Sequence, residues 1–185
     1  MALLAMTMMP ALPAFGRPRS VDVQQSKMTV HVSKRGLFGF LGDNHDIEGP
    51  IASGSYDGDT GTVDITVDAA TLRVLDPKLP LKDRSDVQSN MLGTEVLDAA
   101  RYPTIHFASK RAEVAGTRSE IEGDLTLHGQ THPLAVHVAK IDDQHFTGSA
   151  VIRQTAFGMT PIRVAGGAIT VKDEVTVDFE IVLTP

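Results

Sequence analysis

Five apolar side chains, Val175, Val177, Phe179, Ile181 and Leu183, occupy every second position near the C-terminus, with Thr176, Asp178 and Glu180 among the residues between them. Successive side chains of a strand point to opposite faces, so this spacing describes a strand with one buried face and one wet face. The same period of two recurs upstream. Met28, Val30 and Val32 alternate with Thr29, His31 and Ser33, and Val63, Ile65 and Val67 alternate with Asp64, Thr66 and Asp68. Ile121, Leu125 and Leu127 share a face with Gly123; Leu134, Val136 and Val138 form another face, and Phe146, Ala150 and Ile152 a third. Turn signals fall between these runs at Asp57-Gly58-Asp59 with Gly61, Ala115-Gly116, His128-Gly129, Asp142-Asp143 and Gly166-Gly167. Connections this short pair neighbouring strands antiparallel.

The expected class is therefore all-β: about eight or more strands in a sandwich or, preferred, a single antiparallel up-and-down β-barrel, because closure removes the exposed edges of so long a sheet. Small residues at inward positions, Gly123, Gly148 and Ala150, would leave room inside. One segment departs from the pattern. Asp83 to Ala100 reads as a short helical insertion of two helices, with Ser85 and Gln88 spaced as a capping box and Gly93 ending the first.

With 185 residues the chain suits one domain, expected over residues 21–185, while residues 1–20 stand apart. Ala2 to Phe15 is an apolar run that no polar periodicity interrupts, shorter than the roughly 20 residues that span a bilayer. It matches the core of a secretory signal, with Ala14-Phe15-Gly16 as a small-x-small cleavage pattern but no basic residues ahead of it. A periplasmic or secreted location follows; a disordered tail on a cytoplasmic protein is the alternative. A net charge of -6 and a pI near 5.6, with no cluster of Lys and Arg, argue against nucleic acid as a partner. The absence of Cys removes disulfides and thiolate chemistry.

Histidine is the residue that most invites a chemical reading. His128, His132 and His137 crowd into ten positions, but period two places them at and beyond a hairpin turn, where they read as solvated rather than as a converging metal set. His31, His106 and His145 are expected to face outward. A second candidate is the polar loop after Phe38, where Asp43, His45, Asp46 and Glu48 could serve metal binding or acid–base hydrolysis. Patterns such as Gly-x-Ser-x-Gly, Gly-x-Gly-x-x-Gly and His-Glu-x-x-His are absent.

Three stretches carry a family resemblance from about Ser26 to Leu183. SNMLGTEVLDAARYPTIHFAS, Ser89 to Ser109, resembles the helical insertion, Tyr-Pro and following strand of the YceI-like proteins. IEGDLTLHGQTHPLAVHV is similar to that family's hairpin, through Gly123, Leu125, Thr126, Gly129, Thr131 and Pro133. QTAFGMTPI resembles its Phe-Gly segment, although Ala156 replaces a commonly acidic residue, and Asp43-Asn44-His45 keeps one of two histidines frequent in the first loop. The resemblance implies a lipocalin-like barrel that is not an enzyme, needs no cofactor, and binds, transports or stores a polyisoprenoid or isoprenoid quinone. An isoprenoid lipid would be its partner, with transient membrane contact allowed and no cue to oligomeric state. The family's other biology leaves room for a stress-related interaction protein whose barrel is filled. If the barrel is hollow, alternation assigns its walls to Val30, Val32, Ile105, Phe107, Leu125, Val136, Phe146, Ile152 and Val177. Phe38, Phe40, Phe157 and Met159 are the expected lining of the mouth.

Overall fold

The computed structural model describes residues 17–36, 44–111 and 116–185. The apolar N-terminal run and the loop residues Phe38, Phe40 and Asp43 lie outside them. Among the described residues the first half of the chain forms strands β1 (Arg19–Ser20), β2 (Lys27–Val32), β3 (Lys34–Gly36), β4 (His45–Glu48), β5 (Ile51–Asp57), β6 (Thr62–Asp68) and β7 (Arg73–Val74), followed by helix α1 (Leu81–Leu92). The second half forms β8 (Thr104–Arg111), β9 (Arg118–Leu127), β10 (Gln130–Lys140), β11 (His145–Arg153), β12 (Arg163–Val164), β13 (Ile169–Val171) and β14 (Glu174–Val182).

Eleven of these strands make one antiparallel sheet in the order β1-β5-β6-β8-β9-β10-β11-β14-β2-β4-β7. Its flanks meet. Val21 bridges Leu183, Asp22 N–H donates to Val182 O at 2.8 Å, and Thr184 N–H donates to Ser20 O at 2.8 Å. Both β1 and β2 pair with β14 or its extension, and they pair with β5 and β4 respectively. Each of these couples is one strand path interrupted once, by the turn from Asp22 to Ser26 and by Gly49-Pro50, where proline has no N–H to give a ladder. The ring thus has the expected eight staves: β1 with β2, β4 with β5, then β6, β8, β9, β10, β11 and β14. Strand β7 and a small β12-β13-β3 sheet lie beside it.

The interruption at Asp22 is itself held by side chains. Its carboxylate accepts from Gln24 N–H at 3.0 Å, Gln25 N–H at 3.2 Å and Gln25 Nε2 at 2.6 Å. The Gln25 side-chain bond, followed by those backbone bonds, outweighs desolvation and holds the Asp22 carboxyl below its ordinary 3.8.

Two expectations are corrected. The insertion contains one helix rather than two: α1 starts after Pro80 and ends at Gly93, and residues 94–101 form turns. Ser85 lies inside α1 and caps nothing. Gln88 instead turns toward the sheet, accepting from Val74 N–H at 2.9 Å and donating to Leu72 O at 2.8 Å, which fastens the helix across β7. The inward glycines do not leave open space either. A Cβ on Gly123 would stand 2.5 Å from the Phe107 ring, and one on Gly148 would stand 2.4 Å from the Phe179 ring and 2.3 Å from His137 O. Glycine there admits a neighbouring phenylalanine, and only Ala150 keeps the role expected of it.

Two outcomes follow. Gly148→Ala, with a backbone carbonyl in the way of its methyl, should cost about 1–3 kcal/mol, read as a lowered urea midpoint with unchanged slope. Because the folded Asp22 pKa lies below the unfolded value, its stabilisation is present above about pH 3.8 and is lost as pH falls through the folded value. Amide exchange at Gln24 and Gln25 should accordingly rise in acid more in the wild type than in Asp22→Asn.

Candidate functional site: an apolar cavity with one buried dyad

The interior of the ring is not filled. Core residues such as Leu125, Val136, Val177 and Leu183 are 5%, 7%, 8% and 2% exposed, and no large side chain falls below 2%. That residual exposure belongs to a cavity of about 390 Å³. Alternation explains the wall: every inward position of β14 and its extension, Val175, Val177, Phe179, Ile181 and Leu183, touches it, as do Met28, Val30 and Val32 of β2. The remaining staves add Val63, Ile65 and Val67, then Ile105 and Phe107, then Ile121, Leu125 and Leu127, then Val136, Ala150 and Ile152.

Of the residues singled out from the sequence, Val30, Val32, Ile105, Phe107, Leu125, Val136, Phe146, Ile152, Met159 and Val177 line this cavity. Phe38 and Phe40 lie outside the described residues. Phe157 is not on the wall. It is 3% exposed and buried in the cluster with Leu127 and Met159, its ring edge-on to His132 at 5.1 Å. This corrects two further expectations, because the hairpin histidines are not simply solvated. His128 donates from Nδ1 to Phe157 O at 2.9 Å and lies 4.9 Å from the Tyr102 ring, so His128 and His132 clamp the 3-10 turn Gln154–Phe157 onto the β9–β10 hairpin. The signal missed was the backbone: His128 at φ 51° and Gly129 at φ 72° form a tight two-residue turn that fixes both rings.

Four other histidines pair with carboxylates on the outer face, as alternation implied. His31 lies 2.7 Å from Asp46 and 3.2 Å from Asp178, His106 is 2.8 Å from Asp64, His137 is 3.5 Å from Glu120, and His145 is 2.8 Å from Glu180. These are exposed or half-exposed pairs and contribute little each.

His45 differs from all of them. On β4 it alternates with Asp46, so the imidazole turns inward at 6% exposure while Asp46 and Glu48 face water. The suggested Asp43-His45-Asp46-Glu48 cluster therefore does not form among the described residues, where no three His, Asp or Glu side chains converge on a metal position. The partner of His45 is Asp76, thirty-one residues away: Nδ1–H donates to Asp76 Oδ2, and Asp76 Oδ1 accepts from Asp46 N–H at 3.2 Å. Both side chains are nearly buried, at 8% and 10% exposure. Nothing in the Leu75-Asp76-Pro77 loop announces this pairing in sequence, since β7 must first align with β4 to bring the loop over the dyad.

The few polar wall residues sort to the two ends. Ser55 and Tyr56 lie at one end, where the Tyr56 ring is 5.8 Å from Phe146. Lys34, His45 and Gln154 lie at the other, together with Asn90 of α1. Gln154 is committed to Lys172 O at 2.8 Å. Asn90 is exposed yet reaches the cavity, so an opening to solvent lies beside α1. Such an arrangement can hold a long apolar molecule with one polar group at the α1 end.

The YceI-like domain family matches residues 20–183. In fold, the chain is similar to BcnA of Burkholderia cenocepacia, with TM-score 0.63 and 22% identity over 89% of this chain and 99% of that one. It is also similar to a polyisoprenoid binding domain from Saccharophagus degradans, implicated in plant cell wall breakdown, with TM-score 0.62 and 14% identity over 89% and 96%. A Campylobacter jejuni YceI protein follows at TM-score 0.51 and 13% identity over 83% and 85%. A search of curated protein sequences finds no match.

Removing one member of the dyad strands the other in a nearly dry site. Asp76→Ala should lower stability by about 1–3 kcal/mol in urea denaturation, whereas Glu48→Ala, on the wet face of the same sheet, should stay within about 0.5 kcal/mol.

Proposed function

The chain belongs to the YceI-like family, and we propose that it is a non-enzymatic protein that binds an isoprenoid lipid or quinone inside its barrel and transports or stores it. The observation that carries this reading is the cavity, whose wall is aliphatic and aromatic along its length and polar only at its ends. Its volume of about 390 Å³ falls in the range of small-molecule pockets, roughly 300–1,000 Å³. A prenyl chain is the kind of molecule that gains from such a site. Each CH₂ removed from water contributes about 0.8 kcal/mol, so affinity accumulates along the chain without directional contacts. The Saccharophagus degradans protein of similar fold is described as polyisoprenoid-binding, and we extend that ligand class to this chain.

Two companions of the proposal rest on separate features. Export to the periplasm or beyond is proposed from the apolar run Ala2 to Phe15 with its small-x-small end. Transient membrane contact is proposed from Leu81, 76% exposed at the start of α1, and Leu75, 42% exposed in the loop before it, both close to the helix that borders the opening. No helix among the described residues is long and apolar enough to cross a membrane.

Adjacent residues of β11 supply the test. Ala150 faces the cavity, and Val151 points outward at 55% exposure. Ala150→Phe should weaken uptake of a fluorescent prenyl-chain probe by about tenfold or more, since the added ring occupies ligand space. Val151→Phe should leave uptake unchanged. Equal effects from the two would reject the cavity as the site. Organic extraction of the protein purified from its host, followed by mass spectrometry, should yield an isoprenoid lipid; extraction of nothing would count against a resident lipid.

A further inference from the structure

A carrier that needed only to dissolve an apolar chain would gain nothing from a histidine in its wall. His45 nevertheless turns into the cavity, and its two ring nitrogens are in different situations. Nδ1 is committed to Asp76. Nε2 has no partner among the described residues. Among the described residues the one sealed side-chain polar atom without a partner is Ser119 Oγ. The ring is nearly buried, turned inward on β4, and borders the cavity.

Asp76 decides what Nε2 can do. A carboxylate accepts only, so it keeps the proton of a neutral imidazole on Nδ1 and leaves a lone pair on Nε2. Asp76 is held in turn by Asp46 N–H at 3.2 Å and by burial, which leaves the ring little freedom to turn. An acceptor lone pair at the end of an apolar cavity is matched by an O–H donor. Resting on the carrier reading above, we infer that His45, set by Asp76, is the polar anchor of the cavity and selects prenyl ligands that end in a hydroxyl group: an isoprenoid alcohol, a prenylated phenol or a quinol.

The location agrees with this role. His45 pairs in register with Val32, two residues before Lys34, and shares the α1 end of the cavity with Asn90, so a ligand anchored there lays its apolar chain along β2, β14 and β11 toward Phe146. An oxidised quinone or an ether offers only acceptors and meets the lone pair with nothing to give. Hydroxyl selection thereby separates quinol from quinone, whose chains are identical.

The test uses the full chain stripped of lipid, with farnesol, farnesyl methyl ether and farnesyl monophosphate as probes, at about pH 8. Farnesol should bind about tenfold more tightly than its ether, the worth of one net hydrogen bond. His45→Phe should bind both alike, at the affinity of the ether for the wild type. His45→Phe with Asp76→Leu removes the carboxylate that the single change strands, and should behave the same way, which guards against a folding defect in the single variant. Asp76 acts through the ring as a positioning residue. Asp76→Asn should populate both imidazole tautomers in side-chain ¹⁵N spectra and reduce the alcohol preference several-fold.

Equal binding of alcohol and ether by the wild type, or an alcohol preference that survives in both His45 variants, would overturn the anchor while leaving the apolar cavity standing. A preference for the monophosphate would also overturn it and point to Lys34. Binding of none of the probes would remove the carrier reading and the anchor together.

Discussion

A closed ring of hydrogen-bonded strands commits alternate side chains to an enclosed interior, and here those side chains are too few and too small to fill it. Everything functional follows from that shortfall. Void in an apolar core costs about 24 cal/mol per Å³ in a well-studied case; applied to about 390 Å³, this is on the order of 9 kcal/mol, comparable with the whole stability of a typical domain. An apolar occupant would return the contacts that the wall forgoes. The small-residue positions show how closely the space is shaped: Gly123 and Gly148 are taken up by the rings of Phe107 and Phe179, whereas the volume by Ala150 stays open.

Closure also sorts the polar chemistry. Histidine and carboxylate pairs stud the outer face, where water screens them and no single pair contributes much. Among the described residues one pair sits inside, where a nearly dry environment strengthens the bond between the two groups and makes the loss of either partner costly. The dyad of His45 and Asp76 lies at the α1 end, beside the opening, and the wall beyond it is apolar until Ser55 and Tyr56. The two ends of the cavity thus differ in chemistry from the wall between them.

Alternation by itself was enough for the class of fold, the eight staves and the face of nearly every strand residue, because period two is a local property of extended chain. Val30, Phe107, Val136 and Val177 line the cavity for the reason their spacing gave, and the family resemblance over the insertion and the hairpin agrees with the match to residues 20–183. Local signals failed where a residue's partner is distant or its turn is special. Ser85 and Gln88 had the spacing of a cap, yet Gln88 is drawn to Leu72 and Val74 across the helix–sheet contact. His128 and His132 read as wet, yet the turn at His128-Gly129 folds them onto the segment containing Phe157.

What the chain of residues determined alone is which side chains point inward; what only the tertiary structure decided is whether the inside is empty and what chemistry it holds. Inward direction needs no knowledge of other strands. Emptiness is a difference between the volume a ring encloses and the volume its side chains occupy, and it exists only when all eight staves are in place. The buried dyad is likewise a long-range feature: His45 meets Asp76 on a loop that reaches it only because β7 pairs with β4.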